Sequence, residues 1–270
     1  MKIALCFSGH IRDLDETKNF WTELIEKYKI DVYASFWDIE KPELGDTLNN
    51  FLTIYTPKKY EVESYDIFKK STQDIASLHI NSPKILPHFF RDTSKAFGQL
   101  SMYYKVWKCN ILTKQLGIEY DLVIRARIDT TLDDRFEIQY NNMLNVPMGQ
   151  VHSCFRNSQG LNDCFAYAPP KIMDYYCFIY LQMMEYVNSG HYVFPPEHFL
   201  AVHFSKIKIL VRFFPNYMII TRRQKNTPYE IYNNFIKVPE EKIVWSDSLN
   251  IGTDEIGNFK SDSIKDDFIV

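Results

Sequence analysis

Short apolar runs alternate with stretches of helical periodicity along the first third of the chain. Residues 2–7 form an apolar run followed by Ser8 and Gly9, and residues 15–28 place apolar side chains at steps of three and four. This order predicts a strand, a turn and a helix. Further strands are predicted at 31–37, 53–55 and 60–63. The alternation is typical of an α/β fold with a mostly parallel central sheet flanked by helices.

The middle and the end of the chain continue this pattern less regularly. A long helix is predicted at 94–115, with Gly117 as the residue that ends it. Its predicted buried stripe is Phe97, Leu100, Tyr104, Trp107 and Ile111. Prolines interrupt residues 71–92, which predicts a surface loop. The remaining predicted elements are a buried strand that starts the segment 120–134, strands at 151–154 and 163–168, a helix from Pro170 to about Asn188, a helix from Pro196, and one or two strands within 207–221.

Composition and charge narrow the class of protein. With 31 Lys and Arg against 34 Asp and Glu, the net charge of −3 leaves no cationic surplus for general nucleic-acid binding. Only 9 glycines among 270 residues argue against a glycine-rich phosphate loop. An apolar fraction of 46% is sufficient for a folded core. We expect one domain over residues 1–245 and a polar tail at 246–270.

Cysteine usage and hydropathy indicate a compartment. The five cysteines are scattered and form no C-x-x-C pair, so neither a zinc site nor a disulfide framework is predicted. The apolar start at residues 3–7 is too short for a signal-peptide core, and no stretch approaches about 20 uninterrupted apolar residues. We therefore expect a cytoplasmic protein without a transmembrane segment. The histidines include no H-E-x-x-H arrangement, which disfavours a zinc hydrolase.

Candidate ligand-binding residues follow the first two strands, because ligands of open α/β sheets bind at the carboxyl ends of the strands. After the first strand, Gly9 permits close approach to the backbone, and Arg12 offers a guanidinium group to a phosphate. At the end of the second strand, Trp37 offers a ring to a base or a sugar. The alternatives are an ordinary turn with a solvent-facing Arg12 and core packing of Trp37.

The strand that begins at residue 120 ends in a charged pattern. Arg125, Arg127 and Asp129 follow one another at steps of two, so an extended strand would place them on one face. Three charges on one face of an apolar strand are costly without partners. One interpretation is a metal and diphosphate site, in which Asp129 binds Mg²⁺ or Mn²⁺ and the arginines offset phosphate charge. The alternative is a buried ion pair that ties the sheet to a helix.

Four segments together resemble GT-A-type glycosyltransferases, most of all those of bacterial surface-polysaccharide clusters and of large DNA viruses. The segments are KIALCFSGHIR at 2–12, SFWD at 35–38, QLSMYY at 99–104 and YDLVIRARID at 120–129. The resemblance spans roughly residues 1–205. It implies a nucleotide-sugar-binding half at 1–135 and an acceptor half at 136–245. The donor-binding residues expected from it are Ser8, Gly9, Arg12, Trp37, Gln99, Arg125 and Arg127.

The same resemblance implies a metal ion at an Asp-x-Asp element. Asp129 is the expected ligand of Mn²⁺ or Mg²⁺, which would contact the donor diphosphate. The chain departs from the element two residues earlier, where Arg127 stands in place of the first acid. Asp133 and His203 are further candidate ligands.

Two later segments match the resemblance near the sugar and the acceptor. Asp163 lies in GLNDCFA and Glu197 lies in PPEHF. Either carboxylate is a candidate catalytic base for the acceptor hydroxyl. The alternative roles are a turn cap for Asp163 and a first-turn acid favoured by the helix dipole for Glu197. The sequence does not choose between the two bases.

The expected activity is therefore metal-assisted transfer of a hexose from a nucleotide-diphosphate sugar to a glycan or lipid-linked acceptor, in polysaccharide biosynthesis. A sugar nucleotidyltransferase and a non-catalytic nucleotide-sugar-binding or assembly protein are the alternatives. Residues 198–229 contain six basic residues and no acid. This stretch is interpreted as a solvated face, as diphosphate contacts from Arg222 or Arg223, or as attraction to an anionic lipid acceptor. A peripheral contact with a membrane is left open.

Overall fold

The computed structural model describes residues 1–74, 93–132, 136–138, 150–153, 156–157, 160–188, 196–207, 210–213 and 218–220. Its strands are β1 (Ile3–Gly9), β2 (Asp31–Trp37), β3 (Lys59–Glu63), β4 (Leu122–Ala126), β5 (Thr130–Leu132), β6 (Gln150–Ser153), β7 (Arg156–Asn157), β8 (Gly160–Leu161), β9 (Phe165–Ala168), β10 (Leu210–Phe213) and β11 (Met218–Ile220). Its helices are α1 (Leu14–Tyr28), α2 (Leu48–Tyr55), α3 (Tyr65–Ser71), α4 (Thr93–Leu112), α5 (Pro170–Cys177), α6 (Ile179–Asn188) and α7 (Pro196–Ile207).

A seven-stranded sheet with the order β10-β6-β9-β4-β1-β2-β3 forms the centre of the fold. Its neighbouring strands are parallel except where β9 pairs with β4 and with β6. Both halves of the chain contribute strands to this one sheet. The predicted fold class, α/β with a mostly parallel central sheet flanked by helices, is confirmed.

Helices cover both faces of the sheet, as two adjacent side chains of β1 show. Phe7 faces α1 and α2, where its ring centroid lies 5.1 Å from that of Trp21 and 5.9 Å from that of Phe51. Cys6 faces α4, and its thiol donates to the carbonyl oxygen of Cys109 over 3.9 Å. Adjacent side chains of a strand point to opposite faces. The sheet is therefore buried on both sides around β1, which explains why β1, β2 and β4 read as apolar runs, whereas the edge strand β3 is only partly buried.

One predicted strand, at 53–55, is wrong, because these residues belong to α2. The Thr47 hydroxyl oxygen caps this helix by accepting a hydrogen bond from the Asn50 N–H over 3.2 Å. Phe51 and Tyr55, one turn apart, pack against the ring of Phe7 on β1. Tertiary packing thus outweighs the β-branched and aromatic composition that favoured a strand.

The predicted helix from Pro170 to Asn188 is two helices, α5 and α6, which meet at Phe178. Apolar residues at steps of three and four are buried along both helices: Ile172, Tyr176, Ile179 and Met183. Because the apolar spacing continues across the break, periodicity does not reveal it.

The long helix α4 buries Phe97 and Leu100 as predicted, but beyond them its buried face is shifted by about one residue from the predicted stripe. Tyr104 and Trp107 are only half-buried, whereas Tyr103 and Lys105 are fully buried. Gly117, in the turn beyond the helix, has a left-handed φ of +64°. Helix α3 was not predicted.

Several predictions fall outside the described residues. They include the loop from residue 75 onward, Asp133, Arg222, Arg223 and the polar tail. Within the part of the chain that the structure describes, none of the helices combines the length and the hydropathy needed to cross a membrane.

Candidate functional site

The carboxyl ends of β1 and β4 meet where the strand order changes direction. Strands β2 and β3 extend from one side of β1, whereas β4 lies on its other side. Such a switch point opens a crevice at the carboxyl ends of the strands, where open α/β proteins bind ligands. Arg12 follows β1 and the segment 127–129 follows β4, so both lie at this crevice.

Asp129 forms the centre of a charged cluster at the crevice. Its side chain is 0% exposed, and Arg12 Nε donates to its Oδ2 over 2.9 Å. Arg127 binds the same carboxylate with two nitrogens, Nε to Oδ1 over 2.9 Å and Nη2 to Oδ2 over 2.6 Å. We call these three residues the crevice cluster. With two guanidinium groups on one carboxylate, it has a net positive charge, and its ion pairs join the ends of β1 and β4.

A turn brings Arg127 and Asp129 side by side. Strand β4 ends at Ala126, so the alternation of a strand does not extend to Asp129. The Thr130 N–H instead bonds to the carbonyl oxygen of Arg127 over 3.2 Å, and the Arg127 N–H bonds to that of Cys164 over 2.9 Å. The expected common strand face is therefore replaced by a direct ion pair, and together with Arg12 this pair joins the ends of two strands rather than a strand and a helix.

Arg125 remains on β4 and holds the loop before β9. Its guanidinium, 1% exposed, donates to the carbonyl oxygen of Asp163. Asn162 Oδ1 accepts the Cys164 N–H over 2.8 Å, which closes a turn around Asp163. Arg127 Nη1 donates to Cys164 Sγ over 3.4 Å, and that thiol donates to Asp163 Oδ1 over 3.4 Å. The Asp163 carboxylate thus lies beside the crevice cluster.

Tyr103 of α4 connects this turn to α7. Its hydroxyl donates to the carbonyl oxygen of Pro196 over 2.7 Å, next to Glu197. Burial raises the pKa of Tyr103, and the charges of Asp163, Tyr176 and Glu197 raise it further. Both candidate bases are therefore within electrostatic range of one hydroxyl. Sequence reasoning gave Tyr103 no role of its own, because the buried stripe predicted for this helix passes through Tyr104 instead.

His10, which the sequence analysis did not select, has a pKa that depends on the charges of the crevice. Burial lowers the pKa of His10 to about 4, and the charges of Arg12, Lys41 and Arg127 act in the same direction. Asp129 acts in the opposite direction. The imidazole is therefore neutral at pH 7, and positive charge exceeds negative charge around it.

The end of β1 leaves room for a ligand. Gly9 has a φ of +109°, and a Cβ built on it would meet no atom of the described residues within 4 Å. Among the described residues, the hydroxyl oxygens of Ser8 and Thr130 and the Nε of Arg125 are buried without a hydrogen-bond partner. Because buried polar atoms normally have partners, these atoms at or near the ends of β1 and β4 are candidates for contacts with a polar ligand or with water.

Trp37 and Gln99 are not part of this cluster. Trp37 is 1% exposed, stacks on Tyr104 with a centroid distance of 5.7 Å, and lies 4.3 Å from the ammonium of Lys105. This environment fits core packing, its alternative role. Gln99 is buried on α4 one turn before Tyr103, and its amide has no hydrogen-bond partner among the described residues. Donor contact by these two side chains stays a prediction.

The donor set around Asp129 does not fit a metal ion. Both of its carboxylate oxygens already accept hydrogen bonds from arginines. His203 is also engaged, since Nδ1 lies 2.8 Å from the Tyr186 hydroxyl and Nε2 lies 2.6 Å from the Tyr175 carbonyl oxygen. In the described ranges, no group of three or more His, Cys, Asp or Glu residues is arranged to hold a metal. Mn²⁺ or Mg²⁺ at Asp129 stays an untested expectation.

Comparison with known proteins gives a distant structural likeness. No protein-family model matches the sequence, and no curated protein matches it. A solved structure similar in fold is that of a glycosyltransferase involved in the glycosylation of the major capsid of PBCV-1. The TM-score is 0.36 at 11% identity, over 73% of this chain and 78% of that chain. At this TM-score the likeness supports no conclusion about function.

Proposed function

We propose that the chain is a glycosyltransferase that transfers a hexose from a nucleotide-diphosphate sugar to a glycan or lipid-linked acceptor in polysaccharide biosynthesis. The observation that most supports it is the position of the crevice cluster at the switch point of the sheet. A net positive site at this point suits a diphosphate. Asp163 and Glu197, around Tyr103, supply the carboxylates that acceptor chemistry needs.

In the proposed reaction, the bond between the sugar carbon and the diphosphate oxygen breaks, and its electron pair leaves with the diphosphate. Arg12 and Arg127 offset the negative charge that develops on this leaving group. The acceptor oxygen forms the new bond to the sugar carbon and gives up its proton. If the reaction inverts configuration, a carboxylate takes that proton in the transition state.

We assign different tasks to the two carboxylates. Asp163 is buried and linked through Cys164 to Arg127, which suits a contact with the donor sugar next to the diphosphate. Glu197 is partly exposed in the first turn of α7, which suits a base that meets an acceptor arriving from solvent. The tasks are separable, because one affects donor affinity and the other affects turnover.

Calorimetric titration with a panel of UDP, GDP and CMP sugars, followed by an assay of donor turnover, tests the proposal. Glu197→Gln is expected to lower kcat by about 100-fold or more, with donor affinity unchanged. Asp163→Asn is expected to weaken donor binding. The opposite pattern would exchange the two assignments. Failure of every nucleotide sugar to bind would refute the glycosyltransferase proposal.

A non-catalytic nucleotide-sugar-binding protein is the second candidate. Arg127, which stands in place of an acid and neutralises Asp129, is the observation that favours it. This candidate predicts that a donor binds but that no turnover occurs with any acceptor. Binding with measurable donor hydrolysis would exclude it.

A further inference from the structure

The two arginines already use most of the hydrogen-bonding capacity of the Asp129 carboxylate. Oδ2 accepts two hydrogen bonds, from Arg127 Nη2 over 2.6 Å and from Arg12 Nε over 2.9 Å, and Oδ1 accepts a third, from Arg127 Nε over 2.9 Å. A carboxylate has about four lone-pair positions. Three of them are therefore occupied by charged donors in a side chain that is 0% exposed.

The charge balance of the crevice cluster favours an anion over a divalent cation. A cation bound to Asp129 at about 2.1 Å would lie close to two guanidinium groups. Each of these carries a permanent positive charge, because arginine does not deprotonate in proteins. A divalent cation would be repelled by two charges and attracted by one. A bound anion would be attracted by two charges and repelled by one.

The part of the crevice cluster that is accessible to solvent is the positively charged part. The side chain of Arg12 is 38% exposed and that of Arg127 is 12% exposed, whereas that of Asp129 is fully buried. A ligand that enters the crevice therefore meets guanidinium nitrogen before it meets carboxylate oxygen. Planar guanidinium groups suit bidentate contacts with phosphate oxygens.

We infer that the crevice binds the diphosphate of a nucleotide through Arg12 and Arg127 without a divalent cation, and that Asp129 is a positioning residue that holds the two arginines. The inference rests on the proposed function, because it names how the same site recognises the donor. It replaces the expected ion by side chains of the chain itself. Asp129 then acts through the arginines and makes no contact with the ligand.

Titration of the full chain with UDP and with GDP, in EDTA and in Mn²⁺, tests this inference. The expected result is one dissociation constant that changes less than twofold between the two buffers. Binding that is at least tenfold weaker in EDTA would overturn the inference and leave the glycosyltransferase proposal standing. Absence of binding in both buffers would overturn both.

Arg12→Gln tests the role assigned to the guanidinium groups. We expect about tenfold weaker binding of the diphosphate in EDTA, and a smaller dependence on salt concentration. Lys58→Gln is the matched control, because Lys58 is a surface cation that pairs with Asp31 at the opposite, amino edge of the sheet. The control should bind within twofold of the unchanged chain. Equal losses in both variants would overturn the assignment.

Asp129→Asn separates a positioning residue from a metal ligand. Removal of its charge raises the net charge of the cluster, so binding should become more dependent on salt even where affinity falls. Titration with Mn²⁺ alone, followed by electron paramagnetic resonance, should give the same uptake for both chains. Loss of a saturable Mn²⁺ site in the variant would overturn the inference. If this variant does not fold, the Arg12→Gln result and the EDTA comparison decide.

Discussion

Two clusters of charged side chains contact the central sheet, and they differ in charge balance. Between β3 and α4, two acids face two lysines: Glu61, Glu63, Lys105 and Lys108. We call this the β3–α4 cluster. The crevice cluster instead has two arginines for one acid. Balanced charges neutralise one another, whereas a net positive cluster attracts an anion.

The two clusters also differ in their hydrogen bonds. In the β3–α4 cluster, Lys105 and Tyr104 donate to the two oxygens of Glu63 over 2.6 and 2.9 Å, and Ser35 donates to Glu61 over 2.7 Å. Near the crevice cluster, polar atoms of Ser8 and Thr130 are buried without partners among the described residues. Buried charge in this molecule therefore has two uses. The balanced cluster ties a helix to a strand, and the unbalanced one is suited to a ligand.

Among single substitutions in the two clusters, a large loss of stability is expected in Lys105→Met. The Lys105 side chain is fully buried against Glu63, and its removal leaves a partly buried carboxylate with weaker partners. Because Glu63 is 32% exposed, we expect a decrease of about 2 kcal/mol in the free energy of unfolding, below the usual cost of breaking a buried pair. Urea denaturation measures it.

Lys108→Met is the control for that measurement. Lys108 is 26% exposed and lies 3.3 Å from Glu61 and 3.7 Å from Glu63, so its loss should cost less than about 1 kcal/mol. Neither variant should change the affinity of the folded protein for a nucleoside diphosphate. Weakened nucleotide binding in Lys105→Met at full stability would mean that the β3–α4 cluster is also part of the ligand site.

A smaller effect is expected from pyrophosphate, which should stabilise the protein through the crevice cluster. At tenfold excess over its dissociation constant, a ligand that binds only the folded state adds about 1.4 kcal/mol. The thermal midpoint should rise by about 2.5 °C in the unchanged chain and in Lys108→Met. The rise should be smaller in Arg12→Gln. An equal rise in Arg12→Gln would mean that the anion binds elsewhere.

The sequence predicted the strands that border the crevice better than the contacts within it. Apolar runs that end in polar residues placed β1, β2 and β4 correctly, because strands buried on both faces need such runs. The contact of Arg12 with Asp129 depends on β4 lying beside β1, and no local spacing encodes the order of strands. The turn that pairs Arg127 with Asp129 begins where strand β4 ends. The expectation that residues two apart lie on one face of a strand therefore does not apply to this pair.

Residues on helices were missed for another physical reason. A shift of about 100° around α4 decides whether Tyr103 or Tyr104 faces the core, and both fit an apolar stripe. The stripe chosen from the sequence left Tyr103 without a role, although its hydroxyl reaches Pro196 beside Glu197. Periodicity identifies a helix more reliably than it identifies the centre of the buried face.

Two histidines make stability depend on pH. Burial lowers the pKa of His10 and of His203 from 6.5 to about 4 in the folded chain. Between these values the unfolded state takes up protons that the folded state does not, so the free energy of unfolding should decrease as the pH falls from 6.5 to 4. Urea denaturation across this range measures the decrease, and His10→Gln should reduce its slope. A flat profile would contradict these pKa values.

The smallest expected effect, a ligand-induced pKa change, separates these histidines. A diphosphate held by Arg12 and Arg127 adds negative charge near His10 and should raise its pKa by about one unit. His203 is held by the Tyr186 hydroxyl and the Tyr175 carbonyl oxygen, so its pKa should stay near 4. NMR titration of the imidazole C–H signals with and without UDP measures both, with His10→Gln assigning the signal. A shift of His203 alone would place the anion away from the crevice, since only His10 has both arginines among the charges that set its pKa.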